Sequence, residues 1–451
     1  MAGSSVGKAR TWCSRVNLHV YKNGSGTRRL SGGSGDRLQE VLFDLCRRRH
    51  FITGDKLTEG SLLRGSHGLG PLGKELQKNL VNGWWDSVVL RRDDVLAIDS
   101  PHHVPPQTTS GTPLKTIWGD SRRSRLQTGD LTKERPVPSL LDRESPRWTL
   151  RGDLLYGALQ QYVPCLELMS KRLPFGVAEI GKCFHPIPGE TDSAELSGIG
   201  ERTAASLTWF SAAKTAGRWR DYWLRQRLLW WQKFAQSPSR FSAMEQPEGH
   251  SRTTRIYYHF PWGKEPIESV CSMDDSALLQ MHPGSTKLHG RDGRKSVTPH
   301  VVWVSGDLER GVLACLSDAL QPAENLSPQS KDRRREVLKL HPSLAPVKVA
   351  VDMGKGLAVD LRLVCQGISD ELRGSGISVW PGYLESLQTP VEKVFAKYDE
   401  MGILFTVLVS ENTLENGLLL LRSRDTTLKE TTHVSKVRRF LEQYIVAAKN
   451  L

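Results

Sequence analysis

The sequence predicts a mixed α/β protein of more than one domain, and three observations lead there. The chain has 451 residues, 38% of them hydrophobic, which is more than one core uses, because single cores stop growing at about 250–300 residues. Stretches with apolar residues at helical spacing, such as DRLQEVLFDLCRRRHF at 36–51, occur in the same chain as short apolar bursts of strand type, such as ILFTVLVS at 403–410. Two stretches poor in large apolar side chains, about 101–146 and 322–341, interrupt these patterns and divide the chain.

In the first helical stretch Leu38, Val41, Leu42 and Leu45 share a face, and Arg47, Arg48 and Arg49 close it. Cations suit a helix C-terminus, and the same triplet suits phosphate contacts. Gly68, Gly70, Pro71 and Gly73 then form an irregular turn before a helix carrying Leu76, Leu80 and Trp84. The run lacks the G-K-[ST] ending of a Walker loop and the strand-first G-x-G-x-x-G order, so it is a backbone turn and not a phosphate cradle. Residues 101–146, rich in Pro, Thr, Ser and Arg, form an insertion that contains Arg122, Arg123 and Arg125.

Helical periodicity returns at 154–172, and PFGVAEIGKCFH after it is a strand. The segment KTAGRWRDYWLRQRLLWWQKF puts Trp219, Tyr222, Trp223, Trp230 and Phe234 on one side, flanked by Arg218, Arg220, Arg225 and Arg227. Such a pattern fits a buried aromatic stripe edged by arginine stems; interleaved aromatic and basic residues also suit stacking on a single nucleic-acid strand. The 322–341 stretch is a linker ending in Lys331, Arg333, Arg334 and Arg335. Beyond it APVKVAVDM, GISVWPG, ILFTVLVS and GLLLLRSR are strands, separated by helices at 356–373 and 390–401 and closed by one near 434–448. Alternation of this kind predicts a compact α/β domain with a mostly parallel sheet.

A net charge of +13 favours polyanionic partners through phosphate contacts and counterion release. Seven cysteines, Cys13, Cys46, Cys165, Cys183, Cys271, Cys315 and Cys365, are scattered singly, with no C-x-x-C pair and no histidine at ligand spacing. Free thiols, no metal and no cofactor are expected. No apolar run approaches the roughly 18–20 residues of a membrane span, so a soluble protein without a membrane partner is expected. Before the first acidic residue, Asp36, lie Lys8, Arg10, Arg15, Lys22, Arg28 and Arg29 among many Ser and Gly. Acid-poor, arginine- and serine-rich composition fits a mitochondrial transit peptide or its remnant, and equally a disordered basic tail.

Taken in order from Leu42 onward, several segments resemble glycyl-tRNA synthetase and its class II relatives. LCRRRHF, GLGPLGKELQKNLVNGWW and RRDDVLAID resemble the family's first motif region. PFGVAEIGKCFHP resembles the second motif, LRQRLLWW a following helix, and VVWVSGDLERGVLACL the third. The segment from Leu344, with APVKV, the GIS and MGI turns and LRSRD, resembles the anticodon-binding domain. The resemblance implies a class II synthetase-like antiparallel sheet core with helices, an inserted helical dimerisation segment, and a C-terminal anticodon-binding-like α/β domain with a mixed sheet. It divides the chain into a basic presequence remnant or tail at 1–35, a core at 36–100 and 147–325, the insertion at 101–146, a linker at 326–340 and the C-terminal domain at 341–451.

The departures from the family pattern bear on function. Synthetases of this class hold ATP with an Arg and a Glu in an F-R-x-E pattern, where this chain has Phe184, His185, Pro186 and Ile187. A largely neutral imidazole cannot replace a guanidinium's bidentate grip, and Ile187 has no polar side-chain atom. Arg310 matches the third motif's arginine, but Asp307, Leu308 and Glu309 precede it where the pattern has a glycine. Loss of adenylate chemistry, and hence no catalytic residue, is expected.

A synthetase fold with its nucleotide motif replaced, a basic N-terminal stretch and an insertion before the second motif is similar to the accessory-subunit family of mitochondrial DNA polymerase gamma. That resemblance implies a homodimer in the mitochondrial matrix nucleoid that binds the catalytic subunit and duplex or primer-template DNA and raises processivity. Clustered charge makes Arg47, Arg48, Arg49, Arg122, Arg123, Arg125, Arg333, Arg334 and Arg335 the DNA-facing candidates. Val407, Leu408, Leu418, Leu419 and Leu420 are the candidates for the polymerase contact, and the same residues also read as buried strands. The alternative is a divergent aminoacyl-tRNA synthetase or a tRNA-binding protein.

Overall fold

A computed structural model describes residues 34–450 apart from 55–56, 64, 66, 106–148, 189–195, 249–250, 323–335, 355–357 and 386–389. The expected N-terminal leader up to residue 33, nearly all of the 101–146 insertion with Arg122, Arg123 and Arg125, and the Arg333–Arg335 cluster lie outside the described residues. Two compact units result: Cys46–Ala319, and Leu320–Leu451 together with the chain up to Leu45.

Helix α1 (Ser34–Arg48) has Arg47 and Arg48 in its last turn, and Leu42 and Leu45 are buried. Helix α2 (Pro71–Trp85) starts from Gly70 in extended conformation with Pro71 at its first position, where a fixed φ and a missing N–H cost nothing. Leu76, Leu80 and Trp84 are buried along it. The glycine run is indeed a backbone turn: Gly70 N–H donates to the Phe51 carbonyl at 3.0 Å, and a Cβ on Gly73 would stand 1.9 Å from that same oxygen.

A seven-stranded sheet forms the core of the 46–319 unit. Its strands are β1 (Val95–Ala97), β2 (Phe175–Pro188), β3 (Leu196–Ser211), β4 (Phe241–Glu248), β5 (Ser251–Phe260), β6 (Gly263–Met273) and β7 (His300–Asp307), in the order β1-β2-β3-β7-β6-β5-β4. Every pairing is antiparallel except β1 with β2. Helices α3 (Ala213–Lys233) and α4 (Leu308–Ala319) pack with α2 on one face of the sheet. There the Trp209 ring of β3 lies 4.7 Å from Trp219 and 5.3 Å from Trp223, and Gly311 of α4 lets the Trp231 ring approach.

Two local expectations change. The helix expected at 154–172 is two, Leu155–Gln160 and Tyr162–Leu168, because Pro164 has no N–H for the Gln160 carbonyl. Within α3, Trp223, Trp230 and Trp231 are buried as an aromatic stripe should be, but Arg227, expected at its edge, is buried as well. Its Nε donates to Glu268 Oε1 at 2.8 Å, and its guanidinium lies 4.2 Å from the Trp230 ring centre.

In the other unit the strands are β8 (Val349–Met353), β9 (Val379–Pro381), β10 (Phe405–Val409), β11 (Leu418–Ser423) and β12 (Lys429–His433), in the order β9-β8-β10-β11-β12. Helices α5 (Ala358–Gly374) and α7 (Val434–Asn450) bury Leu361, Cys365, Val437 and Leu441 against Val351, Val407, Val409 and Leu419. On the opposite face Tyr398 of α6 (Val391–Glu400) donates its hydroxyl to Asp352 at 2.7 Å, and Arg422 grips Asp399 through two bonds of 2.7 and 2.8 Å.

Pairings β9-β8 and β8-β10 are parallel, but β10-β11 and β11-β12 are antiparallel, so the sheet is mixed and not mostly parallel. Residues 410–417 and 424–428 are too short for parallel crossovers, which take a dozen residues or more. Part of the stretch expected to be linker is also sheet: Leu320–Pro322 pairs antiparallel with Glu336–Leu338, and Val337 and Leu338 are buried.

Candidate functional site

Strand alternation sorts the seven-stranded sheet into a face covered by α2, α3 and α4 and an opposite, more open face, one end of which is covered by the helices Leu155–Gln160 and Tyr162–Leu168 packed over Phe175, Val177, Phe210 and Val301. Cross-strand register places Cys183 beside Arg202, and runs Glu179, Ser206, Ser305, Ser269 and Arg255 side by side across five strands of the open face. Trp303 lies on this face and donates its indole N–H to Ser206 Oγ at 2.9 Å. A cavity of about 240 Å³ opens here, with Arg202, Arg255, Ser269, Trp303, Asp307 and Arg310 in its lining.

Arg310, in the first turn of α4, donates to the Pro266 carbonyl at 3.1 Å and stands 3.5 Å from Asp307 and 3.9 Å from Glu265. Burial pushes the Glu265 carboxyl above its ordinary value, and Arg310 opposes that shift. His185 and Ile187 fall on β2 in register with Gly200 and Gly198, and His185 is half-buried. At these two positions the strand carries neither a guanidinium nor a carboxylate.

Glu309, in the first turn of α4, forms a tie between four elements. Its carboxylate accepts Thr203 N–H and Thr203 Oγ1 of β3, both at 2.6 Å, Gln77 Nε2 of α2 at 3.1 Å and Lys182 Nζ of β2 at 3.4 Å. A second cluster, unexpected from sequence, braces β2 from the open side. Arg151 is buried, with Nη1 2.8 Å from Glu179 and 2.6 Å from the Ser100 carbonyl, while its Nε donates to the Lys182 carbonyl at 2.7 Å. Its guanidinium lies over Gly181, where a Cβ would come within 2.2 Å of Nη2. Arg151 braces β2 through Glu179 and the Ser100 and Lys182 carbonyls, while its buried Nη2 has no hydrogen-bond partner among the described residues. No local pattern signalled either cluster, because the partners are far apart in sequence.

The remaining candidates spread apart. Arg47 and Arg48 are exposed at the end of α1 and Arg49 is half-buried just beyond. Val407 and Leu419 lie in the core under α5 and α7. Leu408 and Leu420 are register partners on the opposite face, half-buried, and Leu418 on that face is 38% exposed. The six described cysteines are free thiols.

Comparison with known proteins agrees with this geometry. The family model for the anticodon binding domain matches residues 348–444. Over 509 aligned residues the chain is 25% identical to a glycine–tRNA ligase of Deinococcus radiodurans, spanning 89% of this chain and 98% of the ligase. Fold and similarity define a class II synthetase-like protein. Higher similarity lies elsewhere: 57% identity over 440 residues to "DNA polymerase subunit gamma-2, mitochondrial" of Xenopus laevis, covering 97% of this chain and 94% of the relative. With DNA polymerase subunit gamma-2 of Bos taurus identity is 52% over 456 residues, covering 100% of this chain and 92% of the relative. The chain belongs to the DNA polymerase subunit gamma-2 family. It is thus a polymerase subunit with a non-catalytic role.

Proposed function

We propose that this chain acts in mitochondria as the processivity subunit of DNA polymerase gamma, binding the catalytic subunit and duplex or primer-template DNA as a homodimer in the matrix nucleoid. The observation that carries the reading is a synthetase scaffold in which His185 and Ile187 stand at the ATP-motif positions, in a chain similar along nearly its whole length to polymerase gamma subunits. An anticodon-binding-type domain supplies a rigid α/β platform for a macromolecular partner, and Leu418, 38% exposed, with the half-buried Leu408 and Leu420 on the same face, is assigned to the polymerase contact. The 101–146 insertion is assigned to dimerisation. The basic clusters Arg47–Arg49, Arg122–Arg125 and Arg333–Arg335 are assigned to phosphate contacts, which makes DNA affinity fall steeply with salt.

Primer extension by the mitochondrial catalytic subunit on a long template, with and without this protein at moderate salt, tests the proposal. Longer products per binding event are expected. Unchanged product length from folded, dimeric protein would reject the processivity role. The anticodon-binding match favours one competing reading, a tRNA-binding protein. Preference for tRNA over duplex DNA at matched salt, with no binding to the polymerase, would establish that reading instead.

A further inference from the structure

The exposed side of α3 has a composition that nothing in the sheet requires. Lys214, Arg218 and Arg225 are all exposed and, at 100° per residue, fall within an arc of about 40°. They face away from Trp223, Arg227 and Trp230, which are turned into the protein. Among the described residues none of the three forms an ion pair, whereas Arg220 on another side of the same helix pairs with Asp221 and Glu245. Asp221 is the one acid on the outward stripe, and Arg220 holds it at 3.0 Å. Farther along, burial lowers the pKa of Lys233, and the like charge of exposed Arg91 adds to that shift. Two cations held close together on a surface favour an anionic partner.

We infer that the stripe Lys214, Arg218 and Arg225 on α3 is a contact surface for the sugar-phosphate backbone of duplex DNA. The inference rests on the proposed DNA binding and adds a location that none of the clustered arginine runs supplied. Duplex is favoured over single strand because recognition of single strands depends on bases stacking on aromatic faces. The aromatic residues of α3 are buried or half-buried: Trp219 packs on Trp209, the Tyr222 hydroxyl accepts from Arg92 at 2.7 Å, and the other tryptophans are inside. What the helix offers outward is charge spread over about 16 Å, which suits a regular line of phosphates and reads no sequence.

The test is fluorescence anisotropy of the full-length protein with a labelled duplex oligonucleotide, titrated between about 50 and 200 mM salt. A K214Q/R218Q/R225Q triple variant is expected to bind roughly tenfold or more weakly near 100 mM salt. Its slope of log affinity against log salt should fall by about 2–3. Single variants Arg218→Gln and Arg225→Gln should each lower the slope by about one, with unchanged thermal melting, and they keep the test valid if the triple variant folds poorly. Wild-type binding with no change in the variants overturns the stripe and leaves the DNA reading standing. No binding by wild-type protein ends both. Loss of single-strand affinity with duplex affinity intact overturns the duplex assignment.

Discussion

On the helix-covered face of the seven-stranded sheet, Glu268 is fully buried and takes Arg227 Nε at 2.8 Å on one oxygen and Trp231 Nε1 at 2.5 Å on the other. On the open face, Arg310 is about a quarter exposed and stands 3.5 Å from Asp307 and 3.9 Å from Glu265. The first set of charges has lost its water and relies on its partners; the second keeps water as an alternative. What decides is desolvation and not the face: the Arg151–Glu179 pair on the open side is as buried as Arg227–Glu268 and equally bound to its partners, whereas a charge that keeps water, such as Arg310, can change with little cost to folding.

The contrast predicts a graded series. Glu268→Ala should be the most damaging, by about 3–5 kcal/mol in urea unfolding, because it leaves Arg227 buried and unpaired. The double change Glu268→Leu with Arg227→Met should recover most of that loss, and a double variant as unstable as the single one would break the argument. Gly181→Ala should cost about 1–3 kcal/mol, since its Cβ displaces Arg151 from the Glu179 carboxylate. His185→Arg combined with Ile187→Glu should leave stability within roughly 0.5 kcal/mol and yield no glycine-dependent ATP–pyrophosphate exchange. Exchange activity in that variant would mean that these two positions alone separate the chain from the ligases.

The smallest expected effect concerns a half-buried carboxylate whose closest side-chain partner is neutral. Asp352 is held by the Tyr398 hydroxyl, and burial pushes its carboxyl above the ordinary value, partly offset by that bond. A raised folded-state pKa means that the folded protein binds this proton more tightly than the unfolded chain. Its contribution is full below the unfolded carboxylate value of about 3.9 and is lost as pH rises through the folded value. Relative to Asp352→Asn, the wild-type melting temperature should fall as pH rises through the acidic range; a flat difference would show that the site does not titrate separately.

Much of the fold was legible because periodicity reports which way apolar groups face. The α3 aromatics, the alternating β2 strand and the strand-helix order after residue 344 all follow from spacing. Spacing is silent about which charged side chain turns inward, and Arg227 lies in the same helix as the outward Arg218 and Arg225. Only the position of Glu268, forty-one residues on, decides between them. Glu309 is a similar case: the sequence shows it as a departure from a motif, and its role as a tie depends on Thr203, Gln77 and Lys182 arriving from three other elements. The mixed character of the C-terminal sheet followed from the family resemblance, whereas alternation alone favoured a parallel one.

Leu320–Pro322 paired with Glu336–Leu338, and His103–Val104 paired with Thr149–Leu150, act as clasps: each fixes where a stretch of chain departs and returns. Once both ends of an excursion are pinned, its length is nearly a free variable, since doubling a loop adds only about 0.6 kcal/mol of closure entropy. Evolution can lengthen, shorten or re-charge what hangs from each clasp without renegotiating the folded units.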